Sequence, residues 1–475
     1  MRSFLSLVVL LLLVGSGFAQ PERYELGQRL KAFEKQWDKT TDVTLKKKAA
    51  EGLPKLTGLF FTNQFGEAGR TLDEARWILE GKQPSDDEKW AQSLYAVPET
   101  RYATGQKDMF EVTMKAFYKV KTAMPRNLMV QVSGSPKFSV EELPFLKPAY
   151  LPNEAGDFTL YVTIFLGNQK VALREIGMSY EGRDRQKTKE LQRPDPVQSA
   201  LAIEQSLKKG SLEWATARDR VGLFEGLIKG EVAETDIPAW KMHQQLMYIS
   251  MMNQEKKDFF GPERHGLLWL SIPAGKTTIP ARLYVPKPRS FIPEGDGDKK
   301  PLVVALHGAG GSENMFFEGY GDGQILKLCQ KRGWMLLAPR SALSLVGGGP
   351  PVGEIIDELA KRYPIDPKAI FIVGHSMGAM QAIDAVQKYP GKFAGLAAFG
   401  GDGRIRKPEL FATLPTFIGV GDKDFTLTQV RKLKKTLEDA KAKAMTYKEY
   451  EGIEHLLIVR EALPDAFAMF DKLVR

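Results

Sequence analysis

A chain of 475 residues is too long for one ordinary domain, and its 43% hydrophobic content is enough to bury more than one core. The formal charge of +9, from 67 basic and 58 acidic residues, is small for that length and spread along the chain, which argues against a nucleic-acid-binding face. A single cysteine, Cys329, excludes an intramolecular disulfide and sits in the apolar pattern of a helix as a small buried hydrophobe.

The chain opens on Met1-Arg2, an apolar run from Leu7 to Val14, and then Gly-Ser-Gly-Phe-Ala. This is a charged n-region, an h-region and a small-residue cleavage site, so residues 1–19 are predicted to be a signal peptide cut after Ala19. The run is short for a bilayer span. No cysteine follows it to carry a lipid, so no stable membrane anchor is expected. The absence of disulfides and of Asn-x-Ser/Thr sites points to export in a bacterium, to the periplasm or the exterior.

Residues 20–255 read as a mixed, helix-rich α+β region. From Glu22 to Tyr118 the pattern is mainly helical, with core-facing stripes in "LGQRLKAFEKQW" and "TLDEARWILEG". From Asn127 to Met178 it turns to strands, with Gly167-Asn168 as a tight turn, and from Gln198 to Asn253 it returns to helices. There is no internal repeat, which argues against a β-propeller with its several similar blades. This region carries no recognisable family pattern.

A second unit is predicted over residues 266–475. "GLLWLSIPAGKTTIPARLYVPKP" reads as two strands around a turn. "PEGDGDKK" holds Asp296 and Asp298 but lacks the rest of a calcium loop. From "LVVALHG" onward, short apolar strands alternate with helices to the end. That rhythm predicts βαβ units and a mostly parallel sheet with helices on both faces.

Three stretches of this unit carry chemistry. "AIFIVGHSMGAMQAIDAV" joins a strand to a helix through Gly374-His375-Ser376-Met377-Gly378. A serine on so sharp a turn needs glycine two residues to either side, and its hydroxyl is pushed into the open. The pentapeptide alone arises by chance; its strand–turn–helix context is the stronger signal. "ALHGAGGS" (Ala305 to Ser312) ends the first strand of the series with His307, Gly308, Ala309 and Gly310. It lacks the Lys-Ser/Thr of a phosphate loop, so its backbone N–H groups are expected to hold an oxyanion. "GVGDKDFTL" puts Asp422 and Asp424 past a strand end, and His455 follows the last strand. Of the five histidines, His307 and His375 belong to the glycine motifs, and His243 and His265 precede the sheet as structural residues. His455 remains as the base candidate.

The order Ser376, Asp, His455, each at a strand end, resembles that of the α/β-hydrolase superfamily. The HG-x-G-G loop, the G-H-S-M-G elbow, the late G-x-x-D and the terminal histidine all match it over roughly Gly266 to Arg475. The pattern is most similar to bacterial serine esterases of the feruloyl-esterase and polyhydroxyalkanoate-depolymerase type. The resemblance implies an α/β-hydrolase fold and a Ser-His-Asp triad cleaving carboxylic esters through an acyl-enzyme, without metal or cofactor. It implies oxyanion donors at the Met377 and Ala309 amides. It places the acid third after Gly421, at Asp424, with Asp422 as the alternative, and Asp422 is also well placed to cap the turn. The expected partner is a small-molecule or polymer-linked ester.

Two other readings compete. A prolyl-oligopeptidase-type peptidase is opposed by the lack of a propeller. A non-catalytic binding protein on the same fold is opposed by the full Ser/Asp/His set. The connection Gly400 to Pro415 is too short for a cap domain, so any cover over the site is expected from the N-terminal region or the loop Arg340 to Gly353.

Overall fold

The computed structural model describes residues 21–105, 108–182, 195–232, 234–275, 277–287, 299–341 and 349–474. The segment expected to be a signal peptide, most of "PEGDGDKK" and residues 342–348 of the loop after Arg340 lie outside them. The chain divides into two compact units. One runs to Gln205 and includes Arg220–Tyr248; the other is Ser206–Asp219 with Ile249–Arg475. Among the described residues no helix is long and apolar enough to cross a membrane.

Among the described residues the first unit begins with five α-helices, α1 (Pro21–Lys39), α2 (Val43–Ala50), α3 (Leu56–Phe61), α4 (Phe65–Leu79) and α5 (Asp86–Ser93). Ser85 and Glu88 start α5 with a reciprocal capping box. Eight strands follow: β1 (Leu94–Pro98), β2 (Tyr102–Ala103), β3 (Met109–Ala116), β4 (Leu128–Val132), β5 (Lys137–Ser139), β6 (Phe145–Tyr150), β7 (Gly156–Leu166) and β8 (Gln169–Tyr180). They form a three-stranded sheet, β1-β3-β6, and a five-stranded sheet, β2-β8-β7-β4-β5. Both sheets feed one apolar cluster that includes Leu94, Val112, Met114, Val130, Val162 and Ile164. Gly167, at φ +58, turns β7 into β8 as the sequence suggests.

One expectation fails here. Leu94–Pro98, Tyr102–Ala103 and Met109–Ala116, read with the helical segment, are the strands β1, β2 and β3. In β3 the buried positions are every second residue, Phe110, Val112 and Met114, which is the period of a half-buried strand.

Helices α6 (Pro196–Ser206), α7 (Leu212–Ile228) and α8 (Ala239–Gln254) follow. The unit boundary also departs from the sequence reading, because Ser206–Asp219 belongs with the second unit. The reason is hydrogen bonding to that unit's chain. Thr216 Oγ1 accepts from the Ser271 N–H at 2.9 Å, Thr278 donates to Asp219 at 2.6 Å, and Glu213 accepts from the N–H groups of Phe259 and Phe260.

The second unit alternates as predicted: β9 (Gly266–Ala274), β10 (Thr277–Val285), β11 (Lys300–Leu306), α9 (Gln324–Arg332), β12 (Met335–Pro339), α10 (Val352–Ala360), β13 (Ile365–His375), α11 (Met377–Lys388), β14 (Gly395–Phe399), β15 (Thr416–Gly421), α12 (Leu427–Asp439), β16 (Met445–Tyr450) and α13 (Ile458–Phe470). Its eight strands are ordered β16-β15-β14-β13-β11-β12-β10-β9. Strands β11 to β16 pair in parallel, and β10 is antiparallel to both its neighbours. Every residue of β12, β14 and β15 is buried, as expected for strands covered on both faces. Trp334, Phe371, Phe467 and Phe470 pack as a run of stacked and edge-on rings between sheet and α13. Cys329 is fully buried on α9, where burial pushes its thiol up.

The strand order reverses at β11. Its neighbours β12 and β13 lie on opposite sides, so the crevice beyond the carboxyl end of β11 is a topological switch point, where open α/β sheets bind ligands. The loop carrying His307 and the turn carrying Ser376 both emerge there, since Leu306 is in register with Gly374.

Candidate active site

Ser376 sits between β13 and α11 at φ 55 and ψ −118. A non-glycine residue adopts that conformation only under constraint from its surroundings. The flanking glycines show the constraint. A Cβ on Gly374 would lie 2.1 Å from the Gly378 carbonyl oxygen, and one on Gly378 would lie 1.9 Å from that of Leu306. The Ser376 N–H is spent on the Phe399 carbonyl at 2.8 Å, which ties the turn to the end of β14. Among the described residues its hydroxyl has no hydrogen-bond partner.

Asp424 and His455 meet across two loops. Nδ1 of His455 is 2.9 Å from Oδ1 and 3.0 Å from Oδ2 of Asp424. A carboxylate only accepts, so Nδ1 carries the proton and Nε2 is the basic nitrogen. Asp424 is 5% exposed and His455 4%. Burial opposes a charge on Asp424, but the hydrogen bond and charge of His455 and two bonds from Thr426 outweigh it and hold the carboxyl below its usual range.

Asp422 faces elsewhere. Its Oδ1 accepts from the Gly452 N–H at 2.8 Å, and its own N–H donates to Tyr450 at 3.0 Å. The Lys423 N–H donates to Ile453 at 3.0 Å. Asp422 thus ties the acid loop to the loop that carries His455.

Sequence reasoning passed over the pair Gly400-Gly401. A Cβ on Gly400 would meet Asp424 Oδ2 at 2.8 Å and His455 Nδ1 at 3.2 Å; one on Gly401 would meet the Ser376 carbonyl oxygen at 2.4 Å. The two glycines let β14 end pressed between the serine turn and the acid–base pair. Their signal was a Gly-Gly dipeptide directly after a buried strand. The rest of this connection holds one short 3-10 turn, Pro408–Phe411, in keeping with the absence of a cap domain.

The loop after β11 is braced on all sides. His307 donates from Nδ1 to the Gly308 carbonyl at 2.8 Å and accepts at Nε2 from the Ser341 N–H at 2.9 Å. Arg340 grips Glu313 through two bonds of 2.6 and 2.7 Å; burial opposes the charge on Glu313, yet Arg340 holds it below the usual range. Gly310 takes φ +79, which glycine tolerates. Among the described residues, the amides of Ala309 and Met377 have no acceptor, which leaves both N–H groups for a ligand. Met377 is also the first residue of α11, at the positive end of its dipole.

The remaining histidines are structural. His243 lies between the side chains of Tyr102 and Glu181 inside the first unit, and His265 is half-buried ahead of β9. Two further residues flank His455. Phe425 is 49% exposed with its ring 4.5 Å from the imidazole. Glu454 is 1% exposed and accepts from the N–H groups of Leu456 and Leu457 in the turn that leads into α13. Burial raises its carboxyl to about 7.

A parallel sheet with one antiparallel internal strand, and a strained serine elbow at its switch point, define the second unit as an α/β-hydrolase fold. In keeping with this, a family model described as Phospholipase/Carboxylesterase matches residues 350–464. A protein named probable acetylxylan esterase A, from Aspergillus clavatus, is 23% identical over 126 residues, covering 23% of this chain and 40% of that protein. Among solved structures, a thermostable esterase has a TM-score of 0.39 at 16% identity, covering 80% of this chain and 99% of its own. An S-formylglutathione hydrolase from Staphylococcus aureus has a TM-score of 0.37 at 15% identity, covering 44% and 100%. A ferulic acid esterase has a TM-score of 0.37 at 13% identity, covering 46% and 100%.

Proposed function

We propose that the second unit is a serine esterase that cleaves carboxylic esters through an acyl-enzyme. The observation that carries this reading is the bond between His455 Nδ1 and Asp424, packed on Gly400, beside a glycine that packs on the strained Ser376. His455 takes the proton of Ser376 as Oγ attacks the ester carbonyl. Asp424 keeps Nδ1 protonated and stabilises the imidazolium. The Met377 and Ala309 amides receive the oxyanion, each worth about 3–4 kcal/mol by the precedent of single-donor removal. His455 then protonates the departing alcohol, and a water activated by the same nitrogen hydrolyses the acyl-enzyme. Because the alcohol leaves past His455, the exposed ring of Phe425 gives that side an apolar wall suited to apolar alcohols.

The partial match to a probable acetylxylan esterase and the carboxylesterase family model support esters over peptides as substrates. Ser376→Ala tests the reading: it should abolish both fluorophosphonate labelling and turnover of p-nitrophenyl esters while the protein stays folded. Undiminished turnover would overturn it. The proposal extends to export, with residues 1–19 as a removed signal peptide.

A further inference from the structure

His375, the residue before the nucleophile, is fully enclosed and makes two hydrogen bonds through its two ring nitrogens. Nε2 is 2.9 Å from the backbone carbonyl oxygen of His455. A carbonyl only accepts, so Nε2 bears the hydrogen. Burial, reinforced by the neighbouring His455, pushes the ring's pKa down to about 3, so it is neutral and Nδ1 is an acceptor. The hydroxyl of Tyr320 lies 2.9 Å from that Nδ1 and must donate to it. The Tyr320 oxygen still accepts, and the Gly308 N–H donates to it at 3.2 Å.

The bonds therefore run in one direction. Gly308 N–H points to Tyr320, Tyr320 O–H points to His375, and His375 Nε2–H points to the main chain of His455. The chain links the oxyanion loop, the elbow and the loop of the base. Tyr320 ends the π-helical turn Met315–Gly319, its N–H bonded to the Met315 carbonyl at 2.8 Å; such turns are frequent at functional sites. Its ring packs edge-on against Phe316 and His375, and it is 4% exposed. Gly308 passes so close that an added Cβ would lie 3.1 Å from His375 Nδ1 and 3.3 Å from Ser376 Cβ.

We infer that Tyr320 is a positioning residue for ester hydrolysis, holding the His375 ring between the Gly308 amide and the His455 main chain and so fixing the placement of that main chain relative to Ser376. This rests on the reading of Ser376 and His455 as nucleophile and base. Without the Tyr320 hydroxyl, the buried Nδ1 of His375 loses its donor and the Gly308 N–H loses its acceptor, so the ring that holds the His455 main chain is no longer fixed from that side. A displacement of about 1 Å in such a site costs on the order of 100-fold in rate.

The test uses the full chain and p-nitrophenyl acetate. Tyr320→Phe is expected to lower kcat by about 10- to 100-fold with KM within about twofold, and to slow fluorophosphonate labelling in parallel. His375→Gln should produce a similar loss, and the double variant should be no worse than the more damaged single one, because both break one chain. A kcat for Tyr320→Phe within twofold of the parent, or losses that multiply in the double variant, would overturn the inference. Should either variant fail to fold, nitrogen-15 chemical shifts of His375 in the unaltered protein decide the matter. They should report Nε2–H between pH 5 and 9, and an Nδ1–H ring rejects the chain. Ser376→Ala separates the two claims: if it is inactive while Tyr320→Phe is unimpaired, only the role of Tyr320 falls.

Discussion

Both carboxylate oxygens of Asp424 lie within hydrogen-bonding distance of Nδ1 of His455, at 2.9 and 3.0 Å, whereas Asp422, two residues earlier, accepts from the Gly452 backbone instead. The two aspartates should therefore respond differently to the same change. Asp424→Asn would turn an amide N–H toward Nδ1 and favour the wrong imidazole tautomer, cutting kcat by about 10⁴-fold on the serine-protease precedent. Asp422→Asn keeps an oxygen for Gly452 and should leave kcat within a few-fold. Steady-state kinetics on both variants check this, and the reverse ranking would make Asp422 the acid.

Ser376 holds a backbone conformation that costs about 1–3 kcal/mol for a residue with a side chain. Ser376→Gly relieves this strain and gives back about 0.5–1 kcal/mol through glycine's greater loss of entropy on folding. Ser376→Gly should therefore be inactive yet about 1 kcal/mol more stable than Ser376→Ala. Urea unfolding of the two variants measures the difference, and a Ser376→Gly variant less stable than Ser376→Ala by about 0.5–1 kcal/mol would show that the turn is not strained.

The elbow glycines should tolerate no substitution. Gly378→Ala places a Cβ 1.9 Å from the Leu306 carbonyl oxygen, a backbone atom in the centre of the sheet that has nowhere to move. We expect loss of soluble protein or of several kcal/mol, in the range of severe core overpacking at about 1–3 kcal/mol or more. Gly58→Ala is the control. It lies exposed in α3 with nothing within 4 Å of the new atom, and should stabilise by up to about 1 kcal/mol. Expression level and thermal melting distinguish the two.

Glu454 makes stability fall as pH rises. Burial raises its carboxyl from an ordinary value of 4.5 to about 7, so the folded chain keeps a proton that the unfolded chain has released. Its contribution is fully present below about pH 4.5 and is lost as pH climbs through 7. Asp424 acts in the opposite sense: its carboxyl is held low, so its contribution is present at neutral pH and is lost as acid protonates it. Glu454→Gln keeps the acceptor for the Leu456 and Leu457 N–H groups and cannot ionise. Its Tm relative to the parent should rise between pH 5 and pH 8, and a flat difference would mean that Glu454 does not titrate there.

Expression in a bacterial host and N-terminal sequencing of the exported protein should find a chain beginning at Gln20. A retained Met1 on protein recovered outside the cytoplasm would count against cleavage.

Much of the second unit is legible from local pattern. The turn at Gly374 to Gly378 closes within five residues, so the glycine spacing, the β-branched strand before it and the amphipathic helix after it all lie in one short window. The alternation of strands and helices after Leu302 likewise implies a covered parallel sheet, because β12, β14 and β15 are buried along their whole length, whereas the edge strand β16 is not. The same local reading misjudged residues 94–116, where β1 is buried almost throughout and shows no alternation. It also left Ser206–Asp219 in the wrong unit, since its partners Phe259, Ser271 and Thr278 lie dozens of residues away. What only the tertiary structure decides is which polar groups meet. His455 and Asp424 are 31 residues apart, and Tyr320 and His375 are 55. A tyrosine after the loop that follows β11 does not announce its contact in sequence, and a Gly-Gly after a buried strand signals a close approach without naming the partner. Hydrogen bonds are satisfied by whichever group the folded backbone brings within about 3 Å, and that is set by strand order and register across the whole sheet rather than by neighbours along the chain.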